Sequence, residues 1–342
     1  MIKSGQNIKV FHYGTTPSIG ELQCVIFYDK LDQKYGLIFG GANNASSSLT
    51  LNRIQYINTI TNTSGILSAN LTSVNLGQGV VGDLQKNYIY IAGGGGAWTG
   101  STYTEKTSIE RINCSVTTVN ASIRTDLSEK KLWLDTAKNS SDAGYFLGGC
   151  TNYTPRSVSD KIEKLVFSGE TMSVLVAVLS VAKDKISSIN NSALNLVYIA
   201  GGSNVANATL TTIDKFDTVT NTMVAFANTL ITGVTRFSRS YNTTNAYFIG
   251  GRTSTASTSL IQKMPFDNET VASLGNKLIL ASQSTANTID NNLSYTYLIG
   301  GSNEPLNIIL DLVEKFSMST ETAMSVIMTL PIGASDIRGE TI

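Results

Sequence analysis

A short apolar run ending in two glycines recurs six times along this chain: Leu37-Ile-Phe-Gly-Gly41, Tyr90-Ile-Ala-Gly-Gly94, Tyr145-Phe-Leu-Gly-Gly149, Tyr198-Ile-Ala-Gly-Gly202, Tyr247-Phe-Ile-Gly-Gly251 and Tyr297-Leu-Ile-Gly-Gly301. The second glycines are 53, 55, 53, 49 and 50 residues apart. A ladder of that regularity means a repeat architecture, in which each unit buries its apolar faces only by stacking on its neighbours.

A second landmark lies 11 to 16 residues after the first glycine of each pair. It is an apolar residue, then an acid or glutamine, then usually a base: Ile54-Gln-Tyr56, Ile109-Glu-Arg111, Ile162-Glu-Lys164, Ile213-Asp-Lys215, Ile261-Gln-Lys263 and Val313-Glu-Lys315. Most copies run on into a polar turn ending in Thr, as in Phe216-Asp-Thr-Val-Thr220, which reads as a strand entering a hairpin. Another strand and turn precede each glycine pair, as in Phe237–Tyr241 followed by Asn242–Asn245, and a fourth follows the hairpin, as in Thr222–Phe226. Four short strands about every 50 residues is the period of a propeller blade.

These features resemble the kelch-repeat family, whose blades carry a glycine doublet after an aromatic-rich strand. The resemblance covers about residues 22 to 330 and implies an all-β fold, a kelch-like β-propeller of about six four-stranded blades. The sequence departs from the family pattern in its tryptophans, since Trp98 and Trp133 stand at non-equivalent places. The propeller is assigned to residues 22–342, with blade glycine pairs at 40–41, 93–94, 148–149, 201–202, 250–251 and 300–301. Residues 1–21 form a separate N-terminal strand segment. Asn7–Tyr13 and Ala334–Arg338 both look like strands outside the six repeats, and either join to close the ring or begin a seventh, incomplete blade.

Composition narrows the function. The 25 basic residues balance 25 acidic ones, charged residues amount to 15% of the chain, and no stretch holds five or six like charges, so nucleic acid is not expected as a partner. No run of 18 apolar residues or signal-peptide h-region is visible, so neither membrane insertion nor export by a leader is expected, and synthesis is expected in a cytoplasm. Cys24, Cys114 and Cys150 are widely spaced without C-x-x-C pairing, and His12 is the one histidine, so no metal or other cofactor is expected. A Ser-His-Asp arrangement would have to use His12, and no G-x-S-x-G elbow accompanies it. Gly93-Gly-Gly-Gly96 lacks the Lys-Ser/Thr of a phosphate loop and reads as a blade glycine pair extended into a loop. The acid-base pairs Glu110-Arg111, Glu163-Lys164, Asp214-Lys215 and Glu314-Lys315 recur at one blade position, which suits structural ties better than a catalytic carboxylate pair. No catalytic residue is assigned, and the chain is read as a non-enzyme.

Binding is expected on the loops that join the second and third strands, which share one face of a propeller and vary most. Trp98, Tyr103, Tyr153, Arg156, Arg252 and Glu304 are the candidate contact residues, since exposed aromatics among small polar side chains suit sugar or protein recognition. Trp98 or Tyr153 folding back over the channel or a neighbouring loop is the alternative. The low charge, Ser/Thr/Asn-rich strands and absence of a catalytic constellation resemble virion surface proteins. The expected role is attachment or assembly in a bacteriophage tail or capsid decoration, with other virion proteins or a host receptor or glycan as partners. An intracellular kelch adaptor and a carbohydrate-binding or processing protein are the alternatives.

Overall fold

The computed structural model describes residues 35–42, 51–83, 85–96, 102–114, 120–139, 142–275, 277–283, 285–289, 294–303, 306, 308–333 and 338–341. Six four-stranded antiparallel sheets follow one another around an axis. From axis to rim, blade 1 comprises Arg338–Thr341, Tyr35–Phe39, Arg53–Asn58 and Thr63–Asn70. Blade 2 comprises Gly79–Asp83, Tyr88–Ala92, Ser108–Asn113 and Ser122–Asp126, and blade 3 Asp135–Lys138, Ala143–Leu147, Lys161–Val166 and Thr171–Val178. Blade 4 comprises Ser187–Asn191, Leu196–Ala200, Ile213–Asp217 and Thr222–Val224, and blade 5 Ser238–Tyr241, Asn245–Ile249, Ile261–Pro265 and Ala272–Ser273. Blade 6 comprises Ala286–Ile289, Tyr295–Ile299, Leu312–Ser317 and Thr322–Thr329.

The innermost strands adjoin one another in a closed cycle that returns from blade 6 to blade 1. The strand that completes blade 1 begins at Arg338, where the strand expected over Ala334–Arg338 ends, and pairs antiparallel with Gly36–Phe39. The ring is thus six-bladed, with a C-terminal strand in the first blade. The expected strands over Asn7–Tyr13 and Gln23–Tyr28, and the segment 1–21, lie outside the described residues.

Each second strand is buried almost throughout because a blade lies on either side of it. The core is accordingly divided into one apolar cluster per blade interface, six in all, such as Phe39, Leu67, Ile91 and Ile112 between blades 1 and 2, or Tyr247, Ile261, Leu298 and Phe316 between blades 5 and 6.

The glycine pairs are the docking points of this arrangement. Within each pair the first glycine has φ of 55–64° and the second 88–109°, a region that side-chain-bearing residues avoid. At Gly40, Gly93, Gly148, Gly201 and Gly250 an added Cβ would stand 2.3–2.9 Å from a backbone oxygen of the connector leading into the next blade. The following glycine donates its N–H to that same oxygen at 2.7–2.9 Å in all five cases. Neighbouring backbones meet here with no room for a side chain.

The acid-base landmark makes two further ties. Its acid or amide is buried in every blade, and Gln55, Glu110, Glu163, Asp214, Gln262 and Glu314 each accept a backbone N–H from the connector of the preceding blade at 2.7–3.1 Å. Its base reaches the other way, to the hairpin turn of the next blade: Arg111 to Glu170, Lys215 to Glu269 and Lys263 to Glu321, each at 2.6 Å. The tyrosine of the preceding strand joins the same turn, as Tyr90 does with Glu170 and Tyr198 with Glu269. Tyr297 repeats the gesture across the closure, donating to the Thr59 carbonyl of blade 1 at 3.4 Å.

Burial, reinforced by the neighbouring Glu269 carboxylate, pushes the Tyr198 hydroxyl upward, so it stays a donor. Tyr198→Phe removes one hydrogen bond to a charged acceptor while Lys215 still holds Glu269. The expected loss in a urea titration is about 2 kcal/mol with an unchanged slope, and an unchanged midpoint would refute the assigned tie.

Candidate functional site

In an antiparallel four-stranded blade, the loop between the second and third strands and the connector to the next blade emerge at the same end. On that end lies a seventh apolar cluster that follows no sixfold rule: Ala42, Leu76, Tyr103, Leu132, Trp133 and Cys150, with Tyr153 packed against it. It draws on blade 1, on the loops of blades 2 and 3 and on the connectors between them.

Three rings form its centre. Tyr103 meets Trp133 edge-on at 5.6 Å between centroids, Tyr153 meets Trp133 at 5.7 Å, and the two tyrosines meet at 5.3 Å. Such T-shaped contacts place the positive edge of one ring on the negative face of another. Tyr103 and Trp133 are buried and Tyr153 is half-buried, so Tyr153 carries the exposed part of the patch.

Trp133 occupies a repeat position, two residues before an innermost strand, that is Gly77, Lys185 and Arg236 in the connectors to blades 2, 4 and 5. All four have φ of 53–60°. Their backbones form a chain around the axis, Trp133 N–H to Gly77 O at 2.7 Å, Lys185 N–H to Trp133 O at 2.8 Å and Arg236 N–H to Lys185 O at 2.9 Å. Gly77 is required beneath the indole, since a Cβ there would be 2.5 Å from Trp133 Cδ1. Lys185 Nζ lies 4.7 Å and Arg236 Cζ 5.0 Å from the centre of the Trp133 ring, both within cation-π range. Lys185 also donates to Asn207 Oδ1 at 3.1 Å.

Deeper along the axis, Arg239 of blade 5 crosses to Asp135 of blade 3, and the Ser188 N–H and hydroxyl of blade 4 donate to the same Asp135 oxygen at 2.7 and 3.1 Å.

The structure brings together some of the expected contact residues and not others. Tyr103 and Tyr153 join in the aromatic cluster. Arg156, on the hairpin of Cys150–Asn152 and Ser157–Val158, turns inward: its guanidinium donates to Asp184 Oδ1 at 2.7 Å, Ser203 Oγ at 3.0 Å and the Asn204 carbonyl at 3.2 Å. Asp184 is fully buried, so Arg156 is first of all its counter-ion, fastening the blade 3 loop to blade 4. Arg252 belongs to blade 5, where its backbone bridges Thr235 and Ser257. Trp98, Glu304, His12 and Cys24 lie outside the described residues. Trp133 and Lys185 are the components that loop-by-loop reading missed, because they sit on connectors. The signal that finds them is the alignment of connectors by distance to the next innermost strand.

Burial pushes the Cys150 thiol up to about 11, with Asp184 adding to the effect, so it is protonated at neutral pH and makes a weak nucleophile. Glu105 accepts the Tyr153 backbone N–H at 2.8 Å, which fastens the blade 2 loop to that of blade 3. Among the described residues no group of three or more His, Cys, Asp or Glu is placed to hold a metal ion. The cluster presents a half-buried tyrosine ring on an aromatic base, with cationic and amide groups beside Trp133. No protein-family model and no curated protein matches the sequence.

Proposed function

We propose that this chain is a divergent kelch-like propeller that acts by binding, as an attachment or assembly component on the surface of a virus particle such as a bacteriophage tail or capsid. In this reading the loop face over blades 2 to 4 meets a host receptor or glycan. The observation that carries the reading is the contrast between two sets of polar residues. The recurring acids, amides and bases described above tie blade to blade, whereas the cluster around Trp133 departs from the sixfold pattern and presents Tyr153 at an exposed end. The low charge of the chain, 15%, and its Ser-, Thr- and Asn-rich strands support a place on a particle surface.

The particle assignment is tested by sedimenting native source material and following this chain through the gradient by mass spectrometry. Co-migration with a large particle is expected, and recovery only at the mass of the free chain would overturn it in favour of an adaptor. The binding face is tested with Tyr153→Ala. An aromatic anchor of this kind is worth about 2 kcal/mol or more, so at least a tenfold loss in attachment to host cells is expected. The control is Ile60→Ser, on the hairpin turn at the opposite end of blade 1, which should bind as the parent does. Equal attachment by all three proteins would remove the loop face from the proposal.

A further inference from the structure

The rim of blades 3 and 4 carries a surface unlike that of blade 2. Residues 171–182 and 218–235 contain no Asp, Glu, Lys or Arg, whereas the outermost strand of blade 2 holds Arg124 and Asp126. The outermost strand of blade 3, Thr171–Val178, is an edge strand bearing none of the charges with which exposed edges are usually guarded. A bulge shifts its register between Lys161 and Glu163 of the partner strand, and at its apex Val176 is 101% exposed. Val174 and Val178 flank it, also exposed.

Two residues along the strand the surface falls into a groove of about 350 Å³ between the blades, walled by Val178 on one side and Met223, Phe226 and Ala227 on the other, with Asp214 and Lys215 also lining it. The groove exists because the outermost strand of blade 4 ends at Val224, after which the chain leaves Ile213 and Asp214 and rejoins the sheet at Thr212↔Thr229. A fully exposed aliphatic knob thus stands beside a partly apolar hole on one rim.

We infer that this rim is the interface of a twofold dimer of the chain, in which Val176 of each copy enters the groove of the other. The charge pattern selects a second copy as the occupant. The two charged residues that line the groove are each ion-paired within their own chain, Asp214 with Lys183 at 2.8 Å and Lys215 with Glu269 at 2.6 Å. The surface therefore meets its own image with little repulsion, while a charged partner would lose hydration there without gaining a free counter-ion. A knob and a hole on the same patch are both satisfied at once by twofold pairing, which closes and leaves no further sites open. The bulge at Val176 breaks the edge for strand addition, so side chains rather than a continued ladder make the contact. No residue of the Trp133 cluster lines this groove.

Sedimentation equilibrium of the purified full chain over a range of concentrations tests the inference. The parent should approach twice the chain mass. Val176→Asp and Ala227→Arg, both at exposed positions, should each weaken dimerisation by a hundredfold or more while keeping the parent circular dichroism, with a thermal midpoint that matches the parent's only at concentrations where the parent too is monomeric. A parent that stays monomeric at its highest soluble concentration, or a dimer that both variants leave intact, overturns the proposal.

Discussion

Gly148→Val is expected to destabilise the propeller by about 4 kcal/mol and to lower its thermal midpoint by roughly 10 °C. Two effects add. Gly148 has φ of 55°, where a β-branched residue is strained by about 1–2 kcal/mol. Its new Cβ would also stand 2.4 Å from the Lys183 carbonyl oxygen, the acceptor for the Gly149 N–H at 2.9 Å. Moving that carbonyl away breaks the bond and leaves two buried backbone groups without partners, at about 1–3 kcal/mol each. Lys183 would move with it, and its ammonium is buried against Asp214 at 2.8 Å. The comparison is Gly275→Ala, where φ is not positive and no atom lies within 4 Å of the added carbon. There the unfolded chain loses freedom and the folded one loses nothing, so stability should hold or rise by about 0.5 kcal/mol. Differential scanning calorimetry of both variants decides the matter, and a Gly148→Val protein melting with the parent would refute the docking role.

The glycine pairs could be read from the sequence because their physical requirement is local and exclusive: positive φ and an approaching backbone admit only glycine. The buried acid of the third strand was legible for a related reason, since each copy meets the same connector N–H in the same geometry. The innermost strands left fainter marks. Ser187, Ser188, Ser238 and Ser240 are small and polar, so there is little apolar alternation to detect, and the strand expected over Ala334–Arg338 begins four residues before the closing strand, Arg338–Thr341. Tyr103 and Tyr153 were legible as loop aromatics, but their meeting place on Trp133 was not, because that residue lies on a connector and shares its position with a glycine, a lysine and an arginine. Arg156 is legible as a loop cation, but its ion pair with Asp184, 28 residues further along the chain, is not. Repeated features declare themselves by recurrence, while a functional cluster is by nature the departure from it.

Deleting residues 338–342 is expected to have the other large effect, a loss of at least ~5 kcal/mol together with the loss of a single cooperative transition. The deletion removes the ladder over Gly36–Phe39, which pairs with Thr341–Arg338. It also removes the element lying between the innermost strands of blades 6 and 2. What remains across the gap between blades 6 and 1 is the interface cluster of Ile38, Ile57, Tyr297 and Val313 together with a few polar ties, among them Tyr297 to Thr59, Gln55 to Ile332 and Ser64 to Thr329. An opened ring behaves as a linear array, in which end units have one neighbour fewer and unfold first. Blades 1 and 6 become those ends. Hydrogen exchange should show Leu37, Ile38 and Phe39 amides losing protection before those of Tyr198 and Ile199 in blade 4, and the urea transition should broaden or divide. A synthetic peptide carrying residues 334–342, added in excess, should restore part of the lost stability, because the vacated edge still presents the register that the native strand uses. A truncated chain that unfolds in one sharp step at the parent midpoint would mean that the blade interfaces alone hold the ring, and that the closing strand is an ornament of the fold.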